Sequence, residues 1–373
     1  MGPYGESLVS TSYLLWLADH PAGAILLWSS FLLALVGLIV AIWLLVRAAR
    51  GRLVNLGLVV FAVAVAVLVG EVVARLYYLQ RYDIDLLVSM KVHRDEVLGW
   101  EGTKEFGDRR SRRFKIFVIG DSFTDGAGVP RGSRYYNVLG RTLDAEIFAY
   151  GAGGYGTLQE YLVMDRHLPE IEPNAVLLQV HSNDFINNSW ELERASYFNN
   201  NLTVRPYQVG DNLEYHFPSR LGGLRLFLAA HSRLFYETIL GMERLGADLA
   251  SRNLLRSVEA DIQARGLEFA PFRRAVQTTE ALIARMKRRA GNIPLVAFPA
   301  DRDDHFFEQW QAIFQRNEIP FIESVPARIR DAETKGAKLR LSDGAHWNAE
   351  GHALGGTALA EWFVKERYDI RQP

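Results

Sequence analysis

The sequence predicts an α/β fold: a parallel sheet covered by helices on both faces and preceded by two transmembrane helices. Three observations predict it. Short apolar runs such as Ile116-Phe117-Val118-Ile119 and Ala175-Val176-Leu177-Leu178 alternate with helical patterns, as strands do when each is followed by a covering helix. Residues 22–46 carry no charged side chain, and residues 53–70 form a second apolar run. Gly120-Asp121-Ser122 follows the first buried strand, where the chain must turn before the next helix.

The 373 residues exceed one average domain, and 49% hydrophobic content suffices for a large core. A formal net charge of -1 gives no support for nucleic-acid binding. Cysteine is absent, which excludes disulfides, thiolate zinc sites and a cysteine nucleophile.

Residues 1–80 read as a membrane hairpin, with spans at about 22–46 and 53–78. At about 1.5 Å per residue, each run crosses a hydrocarbon core of roughly 30 Å. Residues 1–20 contain no Lys or Arg and the first run is too long for a signal peptide, so both helices are expected to remain. Arg47, Arg50 and Arg52 make the turn at 47–52 basic. The bias of positive charge towards the cytoplasm puts that turn inside and the following domain outside the cell membrane. Glu71 and Arg75, four residues apart, can pair on one helix face near the outer boundary.

Residues 81–113 form a connector. Asp95 to Trp100 carries a turn signal and an aromatic suited to packing on the next domain. Arg109-Arg110-Ser111-Arg112-Arg113 is either a solvated edge or a contact for anionic head groups or an acidic polymer.

The domain at 114–373 follows. Strands are expected at 114–119, 146–150, 174–180, 293–298 and 320–322, and helices at 134–143, 158–168, 271–289, 305–316 and 348–365. Ligands of such sheets bind beyond the carboxyl ends of the strands. Residues 185–266 interrupt the alternation. Their first part is polar and aromatic (Tyr197, Phe198, Tyr207, Tyr215, Phe217, with Asn199, Asn200 and Asn201), and helical pattern resumes from about Leu224. So long a connection is a lid or subdomain, offering a carbohydrate surface or a self-packing cap.

Cleaving an ester by acyl transfer needs a nucleophile, a base, a group that orients the base, and donors for the oxyanion. Ser122 supplies the hydroxyl, His346 the base, and Asp343, three residues earlier, the orienting carboxylate. Asp301-Arg302-Asp303-Asp304-His305 reads as a helix cap rather than a metal site. No phosphate loop, dinucleotide fingerprint or Gly-x-Ser-x-Gly elbow is present, so no cofactor and no metal are expected.

Four segments occur in order: Gly120-Asp121-Ser122, then Gly151-Ala152-Gly153-Gly154-Tyr155-Gly156, then Ser182-Asn183-Asp184, then Asp343-Gly344-Ala345-His346. Together they resemble the four blocks of the SGNH (GDSL-type) hydrolase superfamily, whose sheet is flavodoxin-like. The resemblance implies oxyanion donors at Ser122 N–H, Gly154 N–H and the Asn183 side chain, with Gly153 an alternative to Gly154. Two positions depart from the pattern: His181 stands where the third block has glycine, and Ala149 where the second often has asparagine. The resemblance implies a serine esterase acting on an acylated small molecule or glycan; location and the polar-aromatic insertion point to O-acyl groups, acetyl first, on an envelope or exported polysaccharide, and the apolar hairpin makes the lipid bilayer a partner. An O-acyltransferase using the same three residues is an alternative. An inactive carbohydrate-binding or assembly subunit is another, which intact Ser122, Asp343, His346 and Asn183 argue against.

Overall fold

A computed structural model describes residues 21–48, 51–82, 94–197, 203–219, 221–252, 254–302 and 304–366. The tail before Pro21, Arg50 of the basic turn, residues 198–201 of the insertion and Asp303 lie outside the described residues. The chain divides into two compact units, Met1–His93 with Ser219–Arg252, and Arg94–Pro218 with Asn253–Pro373.

In the first unit, α1 (Pro21–Arg47) and α2 (Gly51–Tyr82) form a hairpin. They approach closely enough that a Cβ on Gly57 would come within 2.8 Å of Ile42 Cγ1. Both are long and apolar enough to cross a membrane, with a mean hydropathy of 2.7 in each. Many of their large apolar side chains are bare, Leu33 being 73% and Val59 60% exposed. A core helix of a water-soluble domain would bury those side chains.

The second unit begins with β1 (Arg94–Asp95), β2 (Gly99–Trp100) and β3 (Thr103–Phe106). Next come β4 (Lys115–Gly120), the single turn α3 (Ser122–Asp125), α4 (Tyr135–Leu143), β5 (Glu146–Gly151), α5 (Thr157–Ile171) and β6 (Ala175–Val180). Then follow α6 (Asn183–Asn187), α7 (Trp190–Glu193) and an antiparallel hairpin of β7 (Arg205–Val209) and β8 (Asn212–His216). The next two helices, α8 (Gly222–His231) and α9 (Arg233–Ser251), belong to the first unit. The chain re-enters the second unit for α10 (Val258–Arg265), α11 (Ala270–Ala290), β9 (Leu295–Pro299), α12 (Asp304–Arg316), α13 (Ser324–Thr334) and α14 (Ala349–Lys365).

The main sheet runs β3-β5-β4-β6-β9, parallel except for β3, which pairs antiparallel with β5 at the edge. Its strands are apolar on both sides, and alternate residues feed two cores. Phe117, Ile119, Val176 and Leu178 pack with α5, α11 and α12 residues such as Val163, Ile283 and Trp310. Ile116, Val118, Leu177 and Phe298 pack with Leu139, Ile329 and Leu359 of α4, α13 and α14. Residues 320–322 make only one bridge, Ala297 to Phe321, instead of the expected strand. Pro320 has no N–H to give a ladder, and its carbonyl accepts from Ala297 N at 2.9 Å.

Trp100 packs edge-on against Tyr155, with ring centroids 5.3 Å apart. In the insertion, Tyr207 and Phe217 are buried, which favours the self-packing cap over an open carbohydrate surface for those two rings. Arg109 and Arg113 pair with Glu170 and Glu146 at the surface.

Candidate active site

β4 delivers Ser122 to the carboxyl edge of the sheet, and the turn that carries it is pinned from below. Asp121 caps α3, its Oδ1 accepting from Phe123 N at 3.0 Å. The buried Gln179 of β6 accepts from Asp121 N at 3.1 Å and from Thr124 Oγ1 at 2.9 Å. A Cβ on Gly120 would lie 2.4 Å from that same Gln179 oxygen, so only glycine fits where strand becomes turn.

His346 arrives from the far end of the chain. Its Nε2 lies 2.8 Å from Ser122 Oγ, and its Nδ1 lies 2.7 Å from Asp343 Oδ2. The other carboxylate oxygen of Asp343 accepts from Ala345 N at 2.9 Å and His346 N at 3.0 Å. Partial burial pushes the Asp343 carboxyl up, but those N–H groups and the imidazole outweigh it and hold it below the usual carboxylate range. The histidine is fixed on both sides. Trp347 behind it is fully buried, and Asn348 caps α14 by accepting from Glu350 N and Gly351 N. The ring of Phe123 lies 5.2 Å from that of His346 and 5.1 Å from that of His181.

The sequence of the family described as GDSL-like lipase/acylhydrolase matches residues 116–359, well over half of the chain. The chain belongs to that family. As a GDSL-type lipase/acylhydrolase it is an ester hydrolase. No curated protein matches it in sequence. Solved structures similar to it include a lipolytic protein of the G-D-S-L family from Veillonella parvula, 11% identical with a TM-score of 0.36, covering 67% of this chain and 98% of that one. The psychrotrophic esterase EstA from Pseudoalteromonas is 11% identical with a TM-score of 0.38, covering 68% of this chain and 98% of that one. The acetylxylan esterase Axe2 from Geobacillus stearothermophilus, as a catalytic mutant, is 13% identical with a TM-score of 0.36, covering 70% and 96%.

The glycine-rich loop after β5 holds Gly154 at φ +77°, a left-handed conformation. Burial pushes the neighbouring Asp125 carboxyl up, and the Gly153 N–H is among the groups that oppose this. Asn183 opens α6 just past β6. Its Nδ2 donates to Asn187 Oδ1 at 2.9 Å and to Tyr155 O at 3.3 Å, and its Oδ1 lies 2.7 Å from His181 Nδ1. With two acceptors fixing Nδ2, Asn183 Oδ1 can only accept, so its contact with His181 requires the Nδ1–H tautomer as donor. The residue that departs from the third block therefore orients the asparagine of that block.

Two further groups escaped the sequence reading. Arg205, from β7 of the insertion, is 1% exposed and pairs with the buried Glu193 at 2.9 Å. It also donates to Gln159 Oε1 at 2.8 Å and to the carbonyl of Gly154. Nothing near it in sequence marks it, because its partners lie on α5, α6, α7 and the loop after β5. The second group is buried beneath the serine turn, where Asp121, Glu160 and Asp184 are fully buried. Burial first, then the charges of Asp184 and Asp121, push the Glu160 carboxyl well above its usual range, and burial does the same to Asp184. Among the described residues no cluster is arranged to hold a metal ion, and Asp301 pairs with Arg340 instead.

Proposed function

We propose that this GDSL hydrolase is a serine esterase, anchored by its hairpin, that removes O-acyl groups, acetyl among them, from an envelope or exported polysaccharide. The observation that carries the catalytic reading is the unbroken hydrogen-bonded chain Ser122–His346–Asp343. In this reading His346 Nε2 takes the Ser122 proton as Oγ attacks the ester carbonyl, and Asp343 stabilises the resulting imidazolium. The oxyanion accepts from Ser122 N, Gly154 N and Asn183 Nδ2, whose long 3.3 Å contact to Tyr155 O is the one a substrate oxygen displaces. His346 then returns the proton to the departing sugar oxygen, leaving an acyl-serine. Water, deprotonated by His346, attacks that ester; the carboxylic acid leaves and Oγ recovers its proton. The polysaccharide assignment is supported by the basic turn between the two apolar helices, whose charge bias favours an orientation with the domain on the outer side of the membrane.

A fluorophosphonate probe should label the wild-type chain and not Ser122→Ala, and the variant should lose hydrolysis of short-chain aryl esters. Residual turnover above about a thousandth of the parent would exceed what oxyanion donors and binding alone retain, and would rule Ser122 out as nucleophile. Release of acetate from acetylated glycans then separates the polysaccharide assignment from the catalytic one.

A further inference from the structure

The bend between α8 and α9 is fastened to the hairpin by a set of polar contacts at one level. Glu71 of α2 is 3% exposed. Its carboxylate accepts from Arg75 Nε at 2.5 Å, Ser232 Oγ at 2.8 Å, and the backbone N–H groups of Arg233 and Leu234, each at 2.9 Å. The first N–H groups of a helix have no partner within it and carry partial positive charge. Here a carboxylate from another helix caps α9. The carbonyl of His231, ending α8, accepts from Arg75 Nη2 at 2.7 Å and Trp28 Nε1 at 3.1 Å. A Cβ on Gly70 would sit 3.2 Å from Leu234 Cδ2, so the first turn of α9 lies directly on α2.

Depth along the hairpin gives these contacts their meaning. At ~1.5 Å per residue, Glu71 stands about 30 Å from Gly51 and Trp28 about 28 Å from Arg47. Both therefore lie roughly one hydrocarbon thickness, about 30 Å, from the basic turn. That level is the outer boundary of the bilayer, where tryptophan is favoured. Backbone groups there lose water and need protein partners. The contacts of Glu71, Arg75 and Trp28 supply them.

The two helices also leave large apolar side chains bare. Leu221 is 63% exposed and Leu224 43% on or beside α8, and Met242 68% and Leu245 58% on α9. Met242 and Leu245, three apart, share one helix face. We propose that α8 and α9 form a membrane-interface element whose bend rests at the outer edge of the hydrocarbon and whose exposed Leu and Met side chains enter the lipid of that leaflet. Lipid is the occupant because α9 starts directly on a hairpin that itself leaves large apolar side chains bare, at the level that hairpin's length sets. The inference rests on reading α1 and α2 as membrane spans. It adds that the hydrolase unit is tied to the bilayer through the insertion as well as through the connector, since Ser219–Arg252 leaves and rejoins that unit.

The chain has no cysteine, so single cysteines can carry an environment-sensitive nitrobenzoxadiazole label in the full-length protein. Met242→Cys, Leu245→Cys, Leu33→Cys on α1 and Lys335→Cys on the surface of the second unit would be reconstituted in phosphatidylcholine–phosphatidylglycerol vesicles, with spin-labelled lipids as quenchers. The probes at 242 and 245 should lose most of their emission to lipids labelled near the head group, and the probe at 33 to lipids labelled deep in the chain. The probe at 335 should lose none. Quenching at 33 without quenching at 242 or 245 would overturn the interface element and leave the spans standing. A blue-shifted but unquenched probe at 242 would mean a protein surface covers α9, which also overturns it. No quenching at 33 would remove the membrane reading and the inference with it.

Discussion

His352 sits on α14, 1% exposed, its ring stacked on Tyr135 with centroids 5.9 Å apart and its Nδ1 accepting from Tyr135 N at 3.2 Å. Burial first, then the charges of Arg134 and His346, lower its pKa from 6.5 to about 4. Between those values the unfolded chain binds a proton that the folded chain refuses. The contribution is therefore full above pH 6.5 and is lost as pH falls towards 4, by an amount on the order of 3 kcal/mol. Glu160 and Asp184, whose carboxyls are pushed up, act in the opposite sense and lose stability as pH rises. The difference between parent and His352→Gln isolates the histidine. In urea unfolding the variant should show a flatter acid slope, and identical slopes would mean that His352 is protonated in the fold. At this scale the meeting of Ser122, His346 and Asp343 side chains rests on short local patterns that the sequence displays. The orientation of Asn183 was not legible there, since it depends on His181, Asn187 and Tyr155 meeting in space.

Among elements, the legible ones bury a regular apolar pattern: β4, β6, α11 and α14 lie within a few residues of the expected bounds. The edge strand β3 reads Thr-Lys-Glu-Phe and is only half-buried, so no apolar run announces it. The β7–β8 hairpin was hidden for a related reason, its packing being directed by one arginine. Arg205→Met should leave Glu193, fully buried, without its cation, costing about 3–5 kcal/mol. It also frees the Gly154 carbonyl, so turnover should fall more than substrate binding. Arg205→Met with Glu193→Gln should recover a large part of the stability. A double variant no more stable than the single one would show that the arginine matters through its other bonds, to Gln159, Asn187 and Gly154, and not through the ion pair.

For the whole molecule, the division between hairpin and hydrolase unit follows the composition, but the assignment of Ser219–Arg252 to the hairpin does not. Its partners, Glu71, Arg75 and Trp28, lie more than a hundred residues upstream, and no periodicity within the insertion points to them. The charge distribution nonetheless favours one topology. Arg47, Arg50 and Arg52 crowd the turn, whereas residues 1–20 carry only Glu6 and Asp19 as charges. Inverting the hairpin would carry three arginines across the bilayer, each costing about 2.5–3.5 kcal/mol at mid-membrane on insertion scales. The run at Arg109 to Arg113 opposes this bias, but it lies farther from a span end than the turn does, and two of its arginines are paired with Glu170 and Glu146. A reporter fused after Pro373 should therefore be active only outside the cytoplasm, and one inserted at Gly51 only within it. Cytoplasmic activity of the Pro373 fusion would put Ser122 inside the cell, where exported polysaccharide is out of reach and an intracellular acyl ester becomes the substrate to seek.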